Sequence, residues 1–361
     1  DLYMNKYWSE TTKNIEPYIP GEQPKDRNYI KLNTNENPYP ASPKVIEAIM
    51  KTANENLQLY PDPNCDELRH TLANYYKLLP NQVFVGNGSD EVLAFSFMAF
   101  FDKKKPILFP DITYSFYEIY VKLFGLKHKL IPLNDEFALP LNSFCIENGG
   151  IVITNPNAPT TKYVSIEYLK RIVEYNIESV VIIDEAYIDF GGESLIGFVN
   201  NYPNLLIIQT LSKSRSLAGL RVGFAFGHKD LIEGLSRIKN SINSYTIDRL
   251  ALAGAKASFE DETYFQSVCL KIIDTREKIV PLLKELKFTV LESKANFLFV
   301  SHTTINAKII FNKLRKYGIL VRYFDKPRIN NFLRISIGTN DEMKILIKKL
   351  KKIIIEIEPV N

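Results

Sequence analysis

Three short polar segments interrupt the apolar runs of the chain, and each carries residues capable of catalysis. They are Asn155-Pro156-Asn157, Asp184-Glu185-Ala186-Tyr187 and Thr210-Leu211-Ser212-Lys213. Each follows an apolar run that predicts a buried β-strand, namely Ile151–Thr154, Val180–Ile183 and Leu205–Gln209. Because ligands bind beyond the carboxyl ends of parallel strands in open α/β sheets, the three segments are predicted to form one site.

A lysine and an aspartate at the ends of adjacent strands are the groups that a pyridoxal phosphate cofactor requires. Lys213 would bind the cofactor's aldehyde, and Asp184 would keep the ring nitrogen protonated so that the ring withdraws electrons. An ionised carboxylate beside a pyridinium is a charge-assisted hydrogen bond. Tyr187 and Asn157 can both reach the phenolic oxygen of the ring, where hydrogen bonds keep the lysine linkage reactive near neutral pH.

A glycine-containing turn at residues 86–91 supplies donors for the cofactor phosphate. It follows a predicted strand and opens a predicted helix, so that its backbone N–H groups face an anion beside Ser89 and Asp90. The segment around the lysine adds further polar groups, and one tyrosine is a candidate for stacking on the ring. The phosphate candidates there are Thr210, Ser212 and Arg221, and the stacking candidate is Tyr114.

Each of these residues also has an ordinary explanation when it is taken alone. A lysine after a strand is usually solvated, Asp184 could cap a helix, and Asn155-Pro156-Asn157 could be a turn. Tyr114 and Tyr60 could be packing residues among the 20 tyrosines of the chain. Their joint occurrence, in this order and at these strand ends, favours a cofactor site.

The elements that must position these residues follow from the alternation of short β-branched runs with longer amphipathic ones. Further strands are predicted at Val83–Val85, Ile107–Phe109 and Arg221–Phe226, and helices at Ser89–Phe101, Ser115–Phe124 and Ile166–Tyr175. Strands alternating with helices predict an α/β fold with a mostly parallel sheet.

The pattern changes after about residue 240. A helical stretch at 247–286 is followed by strand-like runs near 288–291, 297–300 and 333–337, which predict a smaller α+β domain. The first forty residues, rich in Pro, Asn and Tyr, predict an arm. The predicted division is an N-terminal arm (1–40), a large cofactor-binding domain (41–245) and a small C-terminal domain (246–361).

Composition excludes several classes of protein. With 45% hydrophobic and 24% charged residues and a net charge of +4, the chain resembles an ordinary soluble protein, and no basic tract predicts a nucleic-acid partner. The longest apolar run, Val92–Phe101, is too short to span a membrane. Cys65, Cys145 and Cys269 are far apart, which predicts neither disulfides nor a metal site; with no signal-like N-terminal segment, a cytoplasmic location is expected.

At these residues the sequence resembles the fold-type I aminotransferases and, within them, the histidinol-phosphate aminotransferase family. The shared motifs are Pro17-Tyr18-Ile19-Pro20-Gly21, Leu32-Asn33-Thr34-Asn35-Glu36-Asn37-Pro38, Tyr60-Pro61-Asp62-Pro63, Gly88-Ser89-Asp90-Glu91, Asp184-Glu185-Ala186-Tyr187, Ser212-Lys213, Leu217-Ala218-Gly219-Leu220-Arg221 and Leu333-Arg334-Ile335. The resemblance implies a pyridoxal-phosphate transferase fold, in which helices flank a mostly parallel seven-stranded sheet.

The resemblance also implies a homodimer with active sites at the subunit interface, where Tyr60 would reach the cofactor phosphate of the neighbouring subunit. Arg334 and Arg322 would bind the substrate anion, and Tyr18 and Asn33 would line the substrate side. From the residues alone, Arg322 could equally form a surface ion pair, Asn33 could cap a turn and Tyr18 could pin the arm.

The reaction implied by the resemblance belongs to histidine biosynthesis: L-histidinol phosphate and 2-oxoglutarate give imidazole-acetol phosphate and glutamate. Two positions depart from the family pattern. Thr161 replaces a glycine, so the turn there is not expected to need a positive φ. Arg215 replaces a residue that is often an apolar aromatic, and the sequence leaves open whether it faces solvent or the site.

Three other functions use similar residues. A pyridoxal-phosphate decarboxylase of an amino-acid phosphate, such as threonine phosphate, would share Lys213, Asp184 and Arg221. An aromatic amino-acid aminotransferase would differ only in its substrate. A cofactor-binding transcriptional regulator is disfavoured, because only about 30 residues precede the first motif, too few for a helix-turn-helix module and a linker.

Overall fold

Helices and strands alternate through the computed structural model, which describes residues 5–358. The helices in this range are α1 (Glu10–Asn14), α2 (Pro43–Thr52), α3 (Asp66–Tyr76), α4 (Gly88–Phe100), α5 (Phe116–Leu123), α6 (Ile166–Tyr175), α7 (Lys229–Ile242), α8 (Arg249–Phe259), α9 (Glu262–Glu285), α10 (Ala307–Lys316) and α11 (Asn340–Ile357). Short 3₁₀ helices lie at Asn5–Tyr7, Glu55–Gln58, Pro80–Gln82, Leu141–Phe144, Ile188–Phe190, Leu195–Phe198 and Ala218–Leu220.

The strands form one large and two smaller sheets. They are β1 (Ile30–Lys31), β2 (Val83–Gly86), β3 (Ile107–Pro110), β4 (His128–Ile131), β5 (Gly150–Thr154), β6 (Val181–Asp184), β7 (Leu205–Thr210), β8 (Gly223–Gly227), β9 (Phe288–Val290), β10 (Phe297–His302), β11 (Ile319–Leu320), β12 (Arg322–Tyr323) and β13 (Leu333–Ser336).

The large sheet has seven strands in the order β2-β8-β7-β6-β5-β3-β4. Only β8 runs antiparallel to its neighbours within it, so the predicted mostly parallel α/β sheet is confirmed. Every residue of β5, β6 and β7 is buried, as their continuous apolar sequences require. Edge strand β4 was missed, because its partly exposed His-Lys-Leu-Ile sequence lacks an apolar run.

Alternate residues of the central strands enter two different cores. Ile151, Ile153 and Ile183 pack on one face against α3, α6 and α8. Val152 and Ile182 pack on the other face against α4, α5 and α7. Helices thus cover both faces of the sheet, which leaves the carboxyl ends of its parallel strands as the accessible edge.

The C-terminal part has its own core around an antiparallel sheet with the order β12-β13-β10-β9. Helices α9, α10 and α11 contribute to this core, and so does Leu32 from the N-terminal segment. Strand β1 of that segment pairs in parallel with β11, so the end of the predicted arm is joined to the small domain.

The predicted helical stretch at 247–286 consists of two helices, α8 and α9, separated at Glu260 and Asp261. Ala251, Ala255 and Phe259 of α8 pack in the core of the large sheet, whereas α9 belongs to the small core. The predicted division placed α8 in the small domain (246–361), whereas its packing groups it with the large sheet. The three-part division itself remains a proposal. Within residues 5–358, no helix is long and apolar enough to cross a membrane.

Candidate active site

The three polar segments meet at one edge of the large sheet. Thr154 of β5 pairs with Asp184 of β6, and Asp184 pairs with Ile208 of β7. The segments that follow these strands therefore leave the sheet side by side. Asn155 fixes the first of them, because its side chain both accepts from the Val164 N–H (2.8 Å) and donates to the Val164 carbonyl (3.0 Å).

Asp184 is a buried carboxylate without a cationic partner. Its Oδ2 accepts a hydrogen bond from the Tyr117 hydroxyl (2.7 Å) and its Oδ1 accepts one from the Ala186 N–H (3.2 Å). None of the ion pairs among residues 5–358 includes it. Burial raises the pKa of Asp184 to about 6 despite these two hydrogen bonds. A protonated ring nitrogen would supply the missing charge, so the site fits the predicted cofactor.

The amine of Lys213 is held by a neutral acceptor. Its Nζ donates to the Thr34 carbonyl (3.0 Å) and lies 5.7 Å from the centre of the Tyr187 ring. The main chain of Lys213 is fixed in turn, because its carbonyl accepts from Asn37 Nδ2 (3.0 Å). With no carboxylate in direct contact within the described range, the amine is available to an aldehyde.

Tyr187 and Asn157 differ in what they can offer to a ring oxygen. The Tyr187 hydroxyl accepts from Asn35 Nδ2 (3.2 Å), so its own hydrogen remains free to donate. Asn157 donates both amide hydrogens inside the protein, to the Ile112 carbonyl (2.9 Å) and Thr160 Oγ1 (2.8 Å). The geometry therefore favours Tyr187 as the donor, and the predicted role of Asn157 at the ring stays a prediction.

The predicted phosphate site lies at the N-terminus of α4. A Cβ on Gly88, which has φ +78°, would lie 2.5 Å from Nη2 of Arg221, so only glycine lets the guanidinium approach this turn. A Cβ on Gly223 would lie 2.4 Å from the Ser89 nitrogen, so a second glycine lets β8 pass close to the turn. Backbone N–H groups and a guanidinium thus converge where a phosphate would bind.

Side chains around Arg221 hold it in place. Its Nη1 is 3.4 Å from Ser212 Oγ, which also accepts from Thr210 Oγ1 (3.0 Å). Its Nη2 is 3.7 Å from Asp90 Oδ2, and the other oxygen of Asp90 accepts from the Tyr114 hydroxyl (2.8 Å). Asp90 orients Arg221 and Tyr114; as a carboxylate it would not itself attract a phosphate.

Tyr18 brings the N-terminal segment to this edge. Its ring stacks on Phe116 at 4.4 Å and meets Tyr114 edge-on at 6.2 Å. The predicted cofactor and substrate sides are therefore adjacent.

Two arginines that form no ion pair with a described carboxylate lie side by side on neighbouring strands of the small sheet. Arg322 of β12 and Arg334 of β13 are paired in register, and neither belongs to an ion pair of the described residues. Directly opposed like charges destabilise a sheet unless an anion neutralises them. Arg334 Nη2 donates to the Asn33 carbonyl (2.9 Å), and Arg322 donates to the Ile19 carbonyl (3.1 Å).

The polar groups beside this pair are incompletely satisfied. Arg334 Nε and Asn33 Oδ1 are buried without a hydrogen-bond partner, and burial lowers the pKa of Arg334. Buried polar groups are normally paired, and unpaired ones indicate a ligand or water. The surface ion pair considered for Arg322 is not formed.

Tyr60 lies apart from these residues within one chain. Its side chain is 75% exposed and stacks on Tyr245 with ring centres 4.4 Å apart. An action on a neighbouring subunit's site stays a prediction.

Both departures from the family pattern have structural explanations. Arg215 points away from Lys213 into the protein, where its guanidinium lies 3.8 Å from the ring centres of both Phe259 and Phe265 and donates to the Ser258 carbonyl (2.8 Å). The expectation for Thr161 was wrong: its φ is +66°. Its hydroxyl lies within hydrogen-bond distance of two carbonyl oxygens, those of Thr160 (2.5 Å) and Glu292 (2.8 Å).

Several residues of the site were not found from the sequence. Tyr117 is three residues beyond Tyr114, inside the predicted helix Ser115–Phe124, and was given no role there. The backbone carbonyl of Thr34 carries no side-chain signal. The other missed residues are Asn35, Asn37 and Gly223, which lay within or beside quoted motifs without an assigned role.

Comparisons with known proteins agree with this geometry. Residues 27–350 match the family model described as aminotransferase class I and II. The chain is 63% identical over 351 residues to a histidinol-phosphate aminotransferase of Clostridium beijerinckii, covering 97% of this chain and 98% of that protein. It is 57% identical over 351 residues to one of Clostridium botulinum, covering 97% and 99%.

Solved structures show the same fold. The histidinol-phosphate aminotransferase from Sinorhizobium meliloti, in complex with pyridoxal-5'-phosphate, matches with a TM-score of 0.88 at 22% identity, over 97% of this chain and 98% of that chain. The enzyme of that name from Clostridium acetobutylicum matches with a TM-score of 0.83 at 25% identity, over 90% and 98%.

The raised pKa of Asp184 predicts a pH-dependent stability of the cofactor-free protein. Its folded pKa of about 6 exceeds the unfolded value of roughly 3.9, so between these values the unfolded state loses the proton first and stability falls as pH rises. Unfolding by denaturant should show Asp184→Asn gaining up to about 3 kcal/mol over the wild type between pH 4 and 6. A constant difference across that range would contradict the prediction. Tyr117→Phe, which removes a hydrogen bond to the carboxylate, should extend the window upward.

Thr161 allows the cost of the left-handed backbone to be separated from the hydroxyl's hydrogen bond. Thr161→Ala should lower the free energy of unfolding by about 1–2 kcal/mol, because it loses the bond to Glu292 and keeps the strain. Thr161→Gly should be about 1 kcal/mol more stable than the alanine variant, because glycine adopts positive φ freely. Thr161→Ser, which keeps the hydroxyl, is the control. Alanine as stable as serine in thermal and denaturant unfolding would rule out the role of the hydroxyl.

Proposed function

The chain belongs to the class I and II aminotransferases and, within them, to the histidinol-phosphate aminotransferase family, and we propose that it transfers the amino group of L-histidinol phosphate to 2-oxoglutarate with pyridoxal phosphate as cofactor. One observation carries the cofactor assignment. Among the residues that the structure describes, Asp184 is a buried carboxylate with no cation in contact, and the neighbouring strand leads to Lys213, an amine with no carboxylate in contact. The two groups complement the ring nitrogen and the aldehyde of this cofactor.

Pyridoxal phosphate, when bound, supplies a protonated ring that withdraws electrons from the reacting carbon. Asp184 would hold the proton on the ring nitrogen, and Tyr187 would donate to the phenolic oxygen. Lys213 Nζ would hold the cofactor through its aldehyde carbon between turnovers and would serve as the base that moves the proton at the substrate's Cα. The phosphate would be held by the N-terminus of α4 together with Ser89, Ser212 and Arg221.

The opposed arginines determine the choice of substrate. Planar guanidinium groups bind phosphates and carboxylates through paired N–H bonds, so Arg322 and Arg334 suit the phosphate of one substrate and a carboxylate of the other. Their two hydrogen bonds to backbone carbonyls leave most N–H groups of each fork for an anion. Tyr18 and Asn33 would close the same side from the N-terminal segment.

The dimer implied by the family resemblance also belongs to this proposal. Ile46, Met50, Leu57, Leu59 and Tyr60 are exposed apolar side chains from one stretch of chain. Such a concentration of exposed apolar side chains is typical of an interaction surface, and a second copy would cover it.

The three cysteines are all free thiols, which supports a reducing, cytoplasmic location.

The proposed reaction can be tested in its two halves. The purified protein with pyridoxal phosphate is mixed separately with L-histidinol phosphate, glutamate and phenylalanine, and conversion of the cofactor to its amine form is followed by absorbance. Conversion by histidinol phosphate and by glutamate is expected. No conversion by glutamate would favour a decarboxylase, and conversion by phenylalanine without histidinol phosphate would favour an aromatic aminotransferase; either result overturns the proposal.

Removing one of the two arginines should impair both half-reactions, because the same pair binds the phosphate of one substrate and a carboxylate of the other. Hydrogen bonds to charged groups contribute about 1.5–3 kcal/mol. Arg334→Gln should therefore lower the apparent second-order rate constant of the half-reaction (the maximal rate constant divided by the half-saturating substrate concentration) roughly a hundredfold. Arg237→Gln, an exposed arginine paired with Glu233, is the control and should react like the wild type. Equal rates for both variants would remove Arg334 from the substrate site.

The dimer is tested by placing a charge on the exposed apolar stretch. Met50 is 71% exposed, so Met50→Glu would be silent in a monomer. In the proposed dimer, Met50→Glu should lower the molar mass measured by light scattering from twice the 41.5 kDa of one chain towards the value of a single chain. Ile355→Glu, also at an exposed position, is the control. A wild-type chain with the mass of a monomer would refute the proposed assembly.

A further inference from the structure

A chain of buried hydrogen bonds connects Tyr187 to the small domain through Asn35. Asn35 Nδ2 donates to the Tyr187 hydroxyl (3.2 Å), and Asn35 Oδ1 accepts from Ser336 Oγ (2.8 Å). The Asn35 N–H donates to the same serine oxygen (2.9 Å), and the Asn35 carbonyl accepts from Asn296 Nδ2 (2.9 Å). All four residues are buried. Nothing in the mechanism above uses Asn35, Ser336 or Asn296.

The backbone at Asn35 explains why an asparagine occupies this position. Its φ is +57°, a left-handed conformation that asparagine tolerates better than most residues. This conformation directs both the N–H and the side chain towards Ser336. Ser336 is two residues after Arg334 on β13, so the two side chains lie on the same face of the strand. The segment is thereby held against the strand that carries an anion-binding arginine.

The direction of each hydrogen bond follows from the serine. Among the described residues, Ser336 Oγ has one acceptor for its hydrogen, Asn35 Oδ1. A buried hydroxyl rarely leaves its hydrogen unpaired, which fixes the amide with its oxygen towards Ser336 and its nitrogen towards Tyr187. The Tyr187 hydroxyl must then accept from Asn35, so its single hydrogen points elsewhere.

We propose that Asn35 is a positioning residue that, held by Ser336, forces the Tyr187 hydroxyl to act as a donor towards the phenolic oxygen of the cofactor. This inference rests on the proposed function. Without Asn35, the hydroxyl rotates among other partners and its hydrogen bond to the cofactor weakens. With an aspartate in its place, a carboxylate attracts the hydroxyl hydrogen and withdraws it from the cofactor.

The measurable consequence is the pH at which the bound cofactor changes its visible absorbance. A hydrogen bond from Tyr187 to the phenolic oxygen favours the form of the bound cofactor that has lost a proton, so it lowers the midpoint of this titration. Lys213 and Arg334, the charged groups that interact with the Tyr187 ring or hydroxyl, are unchanged in the variants tested.

The experiment is an absorbance titration of substrate-free holoenzyme for the wild type and five variants, one of them a control. Asn35→Ala and Ser336→Ala should raise the midpoint, the former by about one pH unit, the value of one hydrogen bond. Asn35→Asp should raise it further than Asn35→Ala. Tyr187→Phe gives the upper reference for loss of the donor.

Ser293→Ala is the matched control. Ser293 is a buried serine of the same domain that donates to the Phe297 carbonyl (2.7 Å) and accepts from the Ala295 N–H (3.1 Å), without contact to Asn35. Its midpoint should equal the wild type, and thermal unfolding shows whether each variant is folded.

Folded Asn35 variants that titrate like the wild type would overturn the inference, and so would an Asn35→Asp midpoint no higher than that of Asn35→Ala. A wild-type protein that gains no cofactor absorbance would refute the proposed function instead.

Discussion

Taking a carboxylate out of water is costly unless a positive charge or several hydrogen-bond donors replace the lost solvent. Asp184 is buried at the end of a central strand, where the described residues offer it two donors and no cation. Its pKa rises to about 6 as a result. The adjacent groups complement this deficit. Tyr117 keeps the carboxylate in place, and the amine of Lys213 is bound by a carbonyl, so the two charges do not neutralise each other.

The opposite side of the site has the reverse imbalance. Arg322 and Arg334 bring two positive charges together on paired strands, and their partners within residues 5–358 are backbone carbonyls and aromatic rings. Natural sequences depart from full satisfaction of buried polar groups mainly at functional sites. The unpaired Arg334 Nε and Asn33 Oδ1 fit that rule, since a bound anion and ordered water would satisfy them. The site thus has two opposite imbalances, an uncompensated negative charge at Asp184 and an excess of positive charge at Arg322 and Arg334.

The core of the large sheet and the core of the C-terminal part are connected through residues near Lys213. Arg215 leaves the lysine loop and lies between Phe259 at the end of α8 and Phe265 near the start of α9, so it joins the large core to the helix that begins the small one. Asn35 makes a second connection from Tyr187 to Ser336. The Arg215 guanidinium lies at the C-terminal end of α8, where a positive charge also interacts favourably with the helix dipole. Arg215, one of the two residues that depart from the family pattern, therefore supports the junction between the two cores.

The sequence by itself determined the buried strands β5, β6 and β7, because their continuous β-branched runs leave no polar face. It also determined Asp184 and Lys213 as candidates, since strand ends in such a sheet meet at one edge. The tertiary structure alone decided the antiparallel direction of β8, the register that opposes Arg322 to Arg334, and the contacts of Lys213 with Thr34 and of Asn35 with Ser336. It also decided the positive φ of Thr161, whose hydroxyl contacts the distant Glu292 carbonyl. These features depend on contacts between residues far apart in the chain, and local periodicity carries no information about which distant partner a backbone carbonyl or a strand will find.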